Sequence, residues 1–579
     1  MSYGKQLRSN SKDVAHLFNS YFSDQFSHPS NYSVEIDFSN DPYFDKVFDE
    51  KAIFDLLIKI NVNKAAGPDK IDSKLMKFCA RGLSKPFAIL FNKIFKSGKI
   101  PNKWKLANVV PVFKKGDKSS VTNYRPISLT SLPMKILEYL IKDLLMIKCG
   151  HLIKEFQHGF SIDKSCLTQL LPLIDKFSVA MNNKSRVDVI YIDFAKAFDS
   201  VNHDLILQKL KSKFGVDGLL LQFLRDYLSN RHQQIVIDGS LSGQLPVLSG
   251  VPQGSILGPL LFILFIDDIC DAISDSTNLE LYADDTKIWR EILCEQDQIE
   301  LQNDINMLFD WSSKNLMSFH PDKCKVMAIT NKCLDYPLPF YEFWYHLDNV
   351  LLNYVDIEKD LGVCIDLKLS WTIQCEMAVQ KATQQFNFLR RTCYFIRDNR
   401  QRRALYLILV RSLFEHCCQI WSPQNSTSMV MFEKLQKRAV KWILKEQQES
   451  YSDLVFISKQ KELDILPIKY RFLFSDLVLF YRIINNDIKI ELPHHISRMN
   501  PQNIKNITRS AKPISEGIDN LKYKCNIIPK IMCFQNSYFV RTVKNWNDLP
   551  FDLRSTDSLE NFKTLLKEHL WLILGLKPD

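Results

Sequence analysis

Asp284 and Asp285 stand side by side in Leu281-Tyr282-Ala283-Asp284-Asp285-Thr286-Lys287-Ile288-Trp289, with β-prone residues on both flanks. A two-residue connection between such runs is the commonest hairpin geometry, and Asp tolerates turn conformations that most residues avoid. The pattern predicts a hairpin with charge at its tip. Adjacent like charges repel, so unless water solvates both they call for cations, and hard carboxylate oxygens are the ligands Mg²⁺ prefers. An Asp-Asp pair alone is more often a solvated turn; its neighbours in the sequence argue for more.

Upstream lies Asp188-Val189-Ile190-Tyr191-Ile192-Asp193-Phe194-Ala195-Lys196-Ala197-Phe198-Asp199, an apolar strand that runs into Asp193 and then changes pattern. Between the two stretches, Ser249-Gly250-Val251-Pro252-Gln253-Gly254-Ser255-Ile256-Leu257-Gly258-Pro259 is a Gly/Pro-rich turn leading into the apolar helix pattern of Leu260 to Ile266. A loop of that kind lets backbone approach a ligand closely. Three carboxylates on adjacent strands, a Gly-rich loop opening a helix, and the order strand, loop, hairpin together resemble the palm of a reverse transcriptase. With Asn123-Tyr124-Arg125-Pro126-Ile127-Ser128-Leu129 and Gln157-His158-Gly159-Phe160 added, the chain resembles the polymerase of a jockey-like non-LTR retrotransposon. The likeness also takes in Ala65-Ala66-Gly67-Pro68-Asp69, Leu361-Gly362-Val363 and Val543-Lys544-Asn545-Trp546-Asn547-Asp548-Leu549-Pro550.

The resemblance implies an RNA-directed DNA polymerase, in which a primer 3′-hydroxyl attacks an α-phosphate and pyrophosphate leaves. Two metals about 3.5–4 Å apart stabilise both oxygens of such a displacement, and strand ends place carboxylates more stiffly than loops do. By this analogy Asp193 and Asp284 bridge both ions, Asp285 takes a smaller share, and the Phe194 carbonyl adds an oxygen. Mg²⁺ is the expected ion; Mn²⁺ shares its preference for oxygen. Phe198 would lie beneath the sugar and leave no room for a 2′-hydroxyl, the group that separates the two nucleotide classes. By residue type alone it would read as core. Gln253 would pack near the nucleotide, with Gly254 permitting close approach. Arg125 would hold the triphosphate with its planar fork of donors, and any of Lys114, Lys115 and Lys118 could assist. Lys323 would protonate the pyrophosphate, with Lys325 its competitor, although His320 departs from the family's usual Asn. His158 and His203 have no nucleophile pattern nearby and read as structural.

The elements that must position these groups follow from periodicity. Val14, Leu17, Phe18 and Tyr21 fall at helical spacing, as do Ile53, Leu56, Leu57, Ile60 and Phe87, Leu90, Phe91, Ile94. An irregular stretch is expected from Ser27 to Pro42. From Trp104 the pattern turns to strand through Phe113, then to a basic turn at Lys114 to Lys118 and a second strand at Asn123 to Ile127. Helices are expected over Met134 to Leu145 and Ser165 to Phe177, the latter bent or broken by Pro172. A further helix from Leu301 to Phe319 puts Ile305, Leu308, Phe309 and Leu316 on its apolar side. Leu361 to Ile365 reads as a strand resembling the primer-gripping hairpin, and Trp371–Phe395 and Arg402–Cys417 as basic thumb helices. The resemblance implies an α/β (α+β) fold, a right-hand polymerase of fingers, palm and thumb with an antiparallel palm sheet and helical extensions. Its divisions would be a helical arm over 1–94, fingers and palm over 95–366, thumb over 367–450 and an extension without evident chemistry over 451–579.

The chain has 579 residues, 46% apolar and 24% charged, enough for several packed domains. No apolar run of about eighteen residues indicates a membrane span, and the N-terminus lacks the apolar core of a signal peptide. Fourteen cysteines lack zinc-ligand spacing and read as reduced structural thiols in an intracellular protein. The formal charge is +10, and between Arg390 and Arg411 seven arginines meet one acid, Asp398. That face fits either a phosphate backbone or plain solvation. The partners that the resemblance implies are an RNA template, a DNA primer or target, and deoxynucleoside triphosphates. Full-length relatives carry an endonuclease ahead of the polymerase, so cleavage is expected from another chain unless this one is a fragment. Nuclear action follows from the need for chromosomal DNA. Two other readings stand beside this one: an inactive or co-opted copy that only binds nucleic acid, and a DNA-templated repair polymerase with the same metal chemistry.

Overall fold

The computed structural model of the chain describes residues 1–3, 6–7, 10–27, 34–39, 41–43, 45, 47–331, 343–445, 453–499 and 521–576. The irregular stretch from Ser27 to Pro42 and the segment beginning at Tyr451 lie partly outside them. α1 (Ser11–Ser23) starts at Asn10, whose side chain accepts the Lys12 N–H at 2.8 Å. Its stripe of Val14, Leu17, Phe18 and Tyr21 packs with Val109, Val121 and Ile235 in a small core. α2 (Glu50–Ile58) and α3 (Ala80–Ser97) bury Ile53, Leu57, Phe91 and Ile94 in the main core, with Leu56 and Phe87 partly buried against it; of the other residues at that spacing, Ile60 lies past the end of α2 and Leu90 is exposed.

β1 (Leu106–Phe113) and β2 (Tyr124–Leu129) pair antiparallel, with Val112 opposite Arg125. Trp104 belongs instead to a short helix, Asn102–Lys105, so the strand begins later than its pattern suggests. α4 (Leu132–Cys149) and α5 (Cys166–Asn182) follow, and Pro172 does not break α5. Its ring forfeits one backbone hydrogen bond, but buried Leu170, Leu171, Leu173, Ile174 and Phe177 hold the helix on both sides of it. Then come β3 (Arg186–Ile192), α6 (His203–Ser212), α7 (Gly218–Leu228) and β4 (Arg231–Ile237). β5 (Ser240–Leu241), β6 (Leu245–Val247), α8 (Leu257–Ile266), β7 (Asn278–Tyr282), β8 (Asp285–Ile292) and α9 (Glu295–Lys314) complete this half. α9 stops at Lys314, so Leu316 lies past its end with φ +55° and is 43% exposed, not on an apolar helix face.

β9 (Lys325–Ile329) and β10 (Asn353–Tyr354) finish the central sheet, whose order is β10-β9-β3-β8-β7. It is antiparallel except for the parallel β9–β10 pair at one edge. β3 is its middle strand and is covered on both faces. Val187 and Val189 face one core, with α5 and the C-terminal helices; Ile190 and Ile192 face the other, with α4, α6, α7 and α8. Burial on both faces is why this stretch reads as continuous apolar sequence rather than alternation. The second sheet has the order β2-β1-β4-β5, with β6 also on β4.

β11 (Ile357–Asp360) and β12 (Val363–Asp366) form a hairpin turning at Leu361 and Gly362, both at positive φ. Next come α10 (Thr372–Thr392), α11 (Asn399–Leu409), α12 (Ser426–Leu444), α13 (Ile468–Ile484), α14 (Tyr538–Asn547) and α15 (Leu559–Ile573). All six contribute to one core with α5. α11 ends at Leu409, short of the span expected from Arg402 to Cys417. Three of the seven arginines turn inward. Arg402 donates to Ile396 O at 2.7 Å and Trp442 O at 2.5 Å, Arg403 to Leu463 O, and Arg411 lies 2.8 Å from Glu415. Arg390, Arg391, Arg397 and Arg400 stay exposed, so the basic face holds four arginines rather than seven. Among the described residues every cysteine is free, and no helix is long and apolar enough to cross a membrane.

Candidate active site

Strand register brings the carboxylates together. Ile192, the last residue of β3, pairs with Thr286 of β8, so Asp193 and Asp285 face each other one residue beyond the ladder. Tyr282 pairs with Asp285, which leaves Ala283 and Asp284 as the two-residue turn. The expected Asp-Asp tip is therefore Ala-Asp, with Asp285 already in the strand. Ala283 takes φ +57°, a region that costs a residue with a β-carbon roughly 1–2 kcal/mol. On the other side of β3, Lys325 of β9 pairs with Tyr191, which brings Lys323 level with Asp193. Lys323 Nζ lies 3.1 Å from Asp193 Oδ2. Lys325 is engaged elsewhere, 2.6 Å from Glu358, so of the two lysines it is Lys323 that reaches the carboxylates. The His320 N–H donates to Asp193 O and the Ala195 N–H to Ser318 O, both at 2.8 Å, and neither bond uses the Phe194 carbonyl.

Electrostatics report the same crowding. Burial, then Asp284 and Asp360, push Asp285 up to about 6. Asp284 is raised too, chiefly by burial and further by Asp193, against the pull of Arg125 and Lys114. Asp284 and Asp285 stay raised despite the cationic side chains beside them, which favours further positive charge, and an oxygen-only donor set fits a hard divalent cation. Among the described residues no three such side chains already stand as a closed ligand set.

Arg125 is exposed on β2 and interacts with both Lys114 and Asp284. Lys114 is lowered by burial first and then by Arg125, and it also feels Asp193. Lys118 leans over the Phe113 ring instead, 5.6 Å from its centroid. Lys114 is thus the basic-turn residue nearest the site. Strand alternation could have found it: Lys114 continues the face of Val112, whose partner is Arg125.

The loop and aromatic residues converge next to the carboxylates. Phe198, in a short helical turn Ala197–Ser200, stacks on Phe262 of α8 at 4.5 Å and meets Phe160 edge-on at 6.2 Å. Gln253 O accepts the Ser128 N–H at 2.7 Å, and its Nε2 donates to Asp199 Oδ1 at 3.3 Å. Gly254 has φ +112°, and a β-carbon there would sit 2.8 Å from Ser128 O. Two acids escaped the sequence reading. Asp199 is pushed up to about 6 by burial, against Lys196 and Gln253. Fully buried Glu138 accepts the Ile256 N–H at 2.5 Å and the Tyr227 hydroxyl at 3.1 Å, fixing the entry to α8. His158 Nδ1 lies 3.0 Å from Thr168 Oγ1 and His203 Nε2 lies 2.8 Å from Gly250 O, so both histidines are engaged in holding loops.

A mixed α/β domain that gathers carboxylates at the ends of its inner strands, beside a basic strand turn and a Gly-rich loop, is the kind of scaffold that nucleotide-polymerising enzymes use. Residues 113–389 match the family described as reverse transcriptase (RNA-dependent DNA polymerase). The chain is 25% identical over 464 residues to the "Probable RNA-directed DNA polymerase from transposon BS" of Drosophila melanogaster, covering 76% of this chain and 50% of that protein. It is 28% identical over 330 residues to the RNA-directed DNA polymerase from mobile element jockey of the same species, covering 55% and 35%. The match to the "Probable RNA-directed DNA polymerase from transposon X-element" is 24% over 408 residues, covering 68% and 44%. The chain thus spans half or less of the length of these relatives.

Proposed function

We propose that this chain is an RNA-directed DNA polymerase of a non-LTR retrotransposon, extending a DNA 3′-hydroxyl on an RNA template with deoxynucleoside triphosphates. The observation that carries the reading is the register that sets Asp193, Asp284 and Asp285 at one end of the inner strands, beside Lys323 and Arg125. In this reading the central sheet is the palm, β1 and β2 belong to the fingers, and α10 to α12 form the thumb. The proposed divisions are 1–94, 95–366, 367–450 and 451–579.

Asp193, Asp284, Asp285 and the Phe194 carbonyl would hold two divalent ions, Mg²⁺ by donor type with Mn²⁺ as substitute. Such ions, when bound, stabilise charge on the attacking and leaving oxygens. The chain's own residues do the rest. Arg125, with Lys114 beside it, grips the triphosphate, and Lys323 Nζ supplies a proton to the departing pyrophosphate. Phe198, backed by Phe262, closes the space a 2′-hydroxyl would need. Gln253 and Gly254 shape the nucleotide's floor. Nuclear action, and an endonuclease supplied by another chain, belong to the same proposal.

The test is primer extension by the purified chain on an RNA template with Mg²⁺, beside the Asp284→Ala, Asp285→Ala double variant. Extension by the parent alone is the expected result. Tight hybrid binding without nucleotide addition in either Mg²⁺ or Mn²⁺ would favour a co-opted binding protein instead.

A further inference from the structure

Gln157 is 1% exposed and lies directly against the turn that carries Asp284. Gln157 meets β7 in a single parallel bridge to Leu281. The Leu281 N–H donates to Phe156 O at 3.1 Å, and the His158 N–H donates to Leu281 O at 2.8 Å. Gln157 Oε1 then accepts two backbone donors, the Gly159 N–H at 2.8 Å and the Ala283 N–H at 3.0 Å. Its Nε2 is buried with no partner among the described residues. Burying an unmatched donor is costly, so the oxygen is the end of this side chain that the fold uses. Gly159 makes the approach possible, since a β-carbon there would come within 2.3 Å of Ala283 N.

The turn needs outside support. Its ladder ends at the Tyr282–Asp285 pair, and Ala283 sits in left-handed backbone without being glycine. Such a conformation persists only where surrounding contacts over-determine it. The bond from Ala283 to Gln157 is one such contact, and it enters from outside the hairpin.

We infer that Gln157 is a positioning residue, which fixes the Ala283 backbone through its side-chain oxygen and so aims the Asp284 carboxylate at the cation site. The inference rests on the polymerase reading above. It is tested with the full chain and the variants Gln157→Leu and Gln157→Glu. Two quantities are measured: Mn²⁺ binding by electron paramagnetic resonance, and the Mg²⁺ dependence of single-nucleotide addition.

Gln157→Leu, which lacks the acceptor, is expected to weaken Mn²⁺ binding and to raise the half-saturating Mg²⁺ about tenfold. Gln157→Glu keeps an acceptor in nearly the same place and is expected to bind Mn²⁺ at least as well as the parent. An unchanged metal requirement in Gln157→Leu overturns the inference, whatever its melting temperature. If the Leu variant does not fold, the Glu variant decides, because a tenfold loss of Mn²⁺ affinity there has the wrong sign. A parent that neither extends a primer nor binds Mn²⁺ more tightly than the Asp284→Ala, Asp285→Ala variant overturns the polymerase reading and this inference with it.

Discussion

Lys323 and Asp193, 130 residues apart in sequence, meet at 3.1 Å because β9 and β3 share a register that places them level. The ammonium neutralises the carboxylate. In the proposed function, a divalent ion held by Asp193 would leave Lys323 to serve the leaving group. Lys323→Ala is therefore expected to slow single-nucleotide addition by about 10²-fold or more, the range of a positioned general acid. The half-saturating Mg²⁺ should stay the same or fall, since a competitor for Asp193 is gone. Side chains this exposed, 54% and 44%, contribute about 0–1 kcal/mol as an ion pair, so the melting temperature should barely move. Rapid-quench kinetics and thermal unfolding check both halves; a large stability loss would recast Lys323 as structural.

A second expectation concerns pH. Burial and the neighbouring carboxylates push Asp285 up to about 6, from 3.8 in the unfolded chain. Between those values the folded chain keeps a proton that the unfolded chain has lost, so this group's contribution to stability falls as pH rises from about 4 to 6 and stays low above. Divalent cations favour the charged form and should restore what is lost. Mg²⁺ is expected to raise the melting temperature at pH 7.5 and to leave it unchanged at pH 4.5. The rate at limiting Mg²⁺ should show an acid limb near 6 that moves lower as Mg²⁺ is increased. An acid limb indifferent to Mg²⁺ would mean that another group controls it.

The motifs show this site in the sequence largely because strand ends and turns write their chemistry locally. Asp193 closes an apolar strand, and Gly254 marks a backbone position that no other residue fits. Long-range placement is another matter. That Lys323 and not Lys325 reaches Asp193 depends on which strand β9 joins and in what register, and nothing near residue 323 encodes that. Pro172 shows the converse: its local signal is strong, yet burial of its helix neighbours outweighs it. Arg402 and Arg411 look like members of a solvated basic face until α12 and Glu415 supply their partners. Asp199 and Glu138 escaped notice because a buried acid looks like any other acid until its surroundings are known.

Gly254→Ala should be among the most damaging small substitutions. The residue holds φ +112°, and its new β-carbon would fall 2.8 Å from Ser128 O, a backbone atom that cannot swing aside. Either the loop or β2 must shift. Strain at such a position exceeds the roughly 0.4–1 kcal/mol that Gly→Ala returns through the unfolded chain. The expected outcome is a raised KM for the deoxynucleotide with hybrid binding intact, read from steady-state extension and a binding titration. An unchanged KM would remove the loop from the nucleotide site.

The arginines of α10 and α11 should separate into two classes. Arg390, Arg391, Arg397 and Arg400 are exposed, and in the proposed function they neutralise phosphates of the template–primer. Each such contact contributes about 0.7–0.9 to the slope of log affinity against log salt. Changing all four to Ala should therefore flatten the slope by roughly 3, with little effect on folding. Arg402→Ala should do the reverse. Its guanidinium donates to the Trp442 carbonyl at 2.5 Å and lies 5.0 Å from the Trp442 ring centroid, tying α11 to α12. Removing it leaves two part-buried carbonyls without this donor and should lower stability by about 1 kcal/mol, while the salt slope per folded molecule stays as in the parent. Fluorescence anisotropy with a labelled RNA–DNA hybrid across a salt series gives the slopes, and denaturant unfolding gives the stabilities. If the fourfold variant keeps the parental slope, the hybrid runs over another face of the protein and the helices α10 and α11 lose their assigned role as its track.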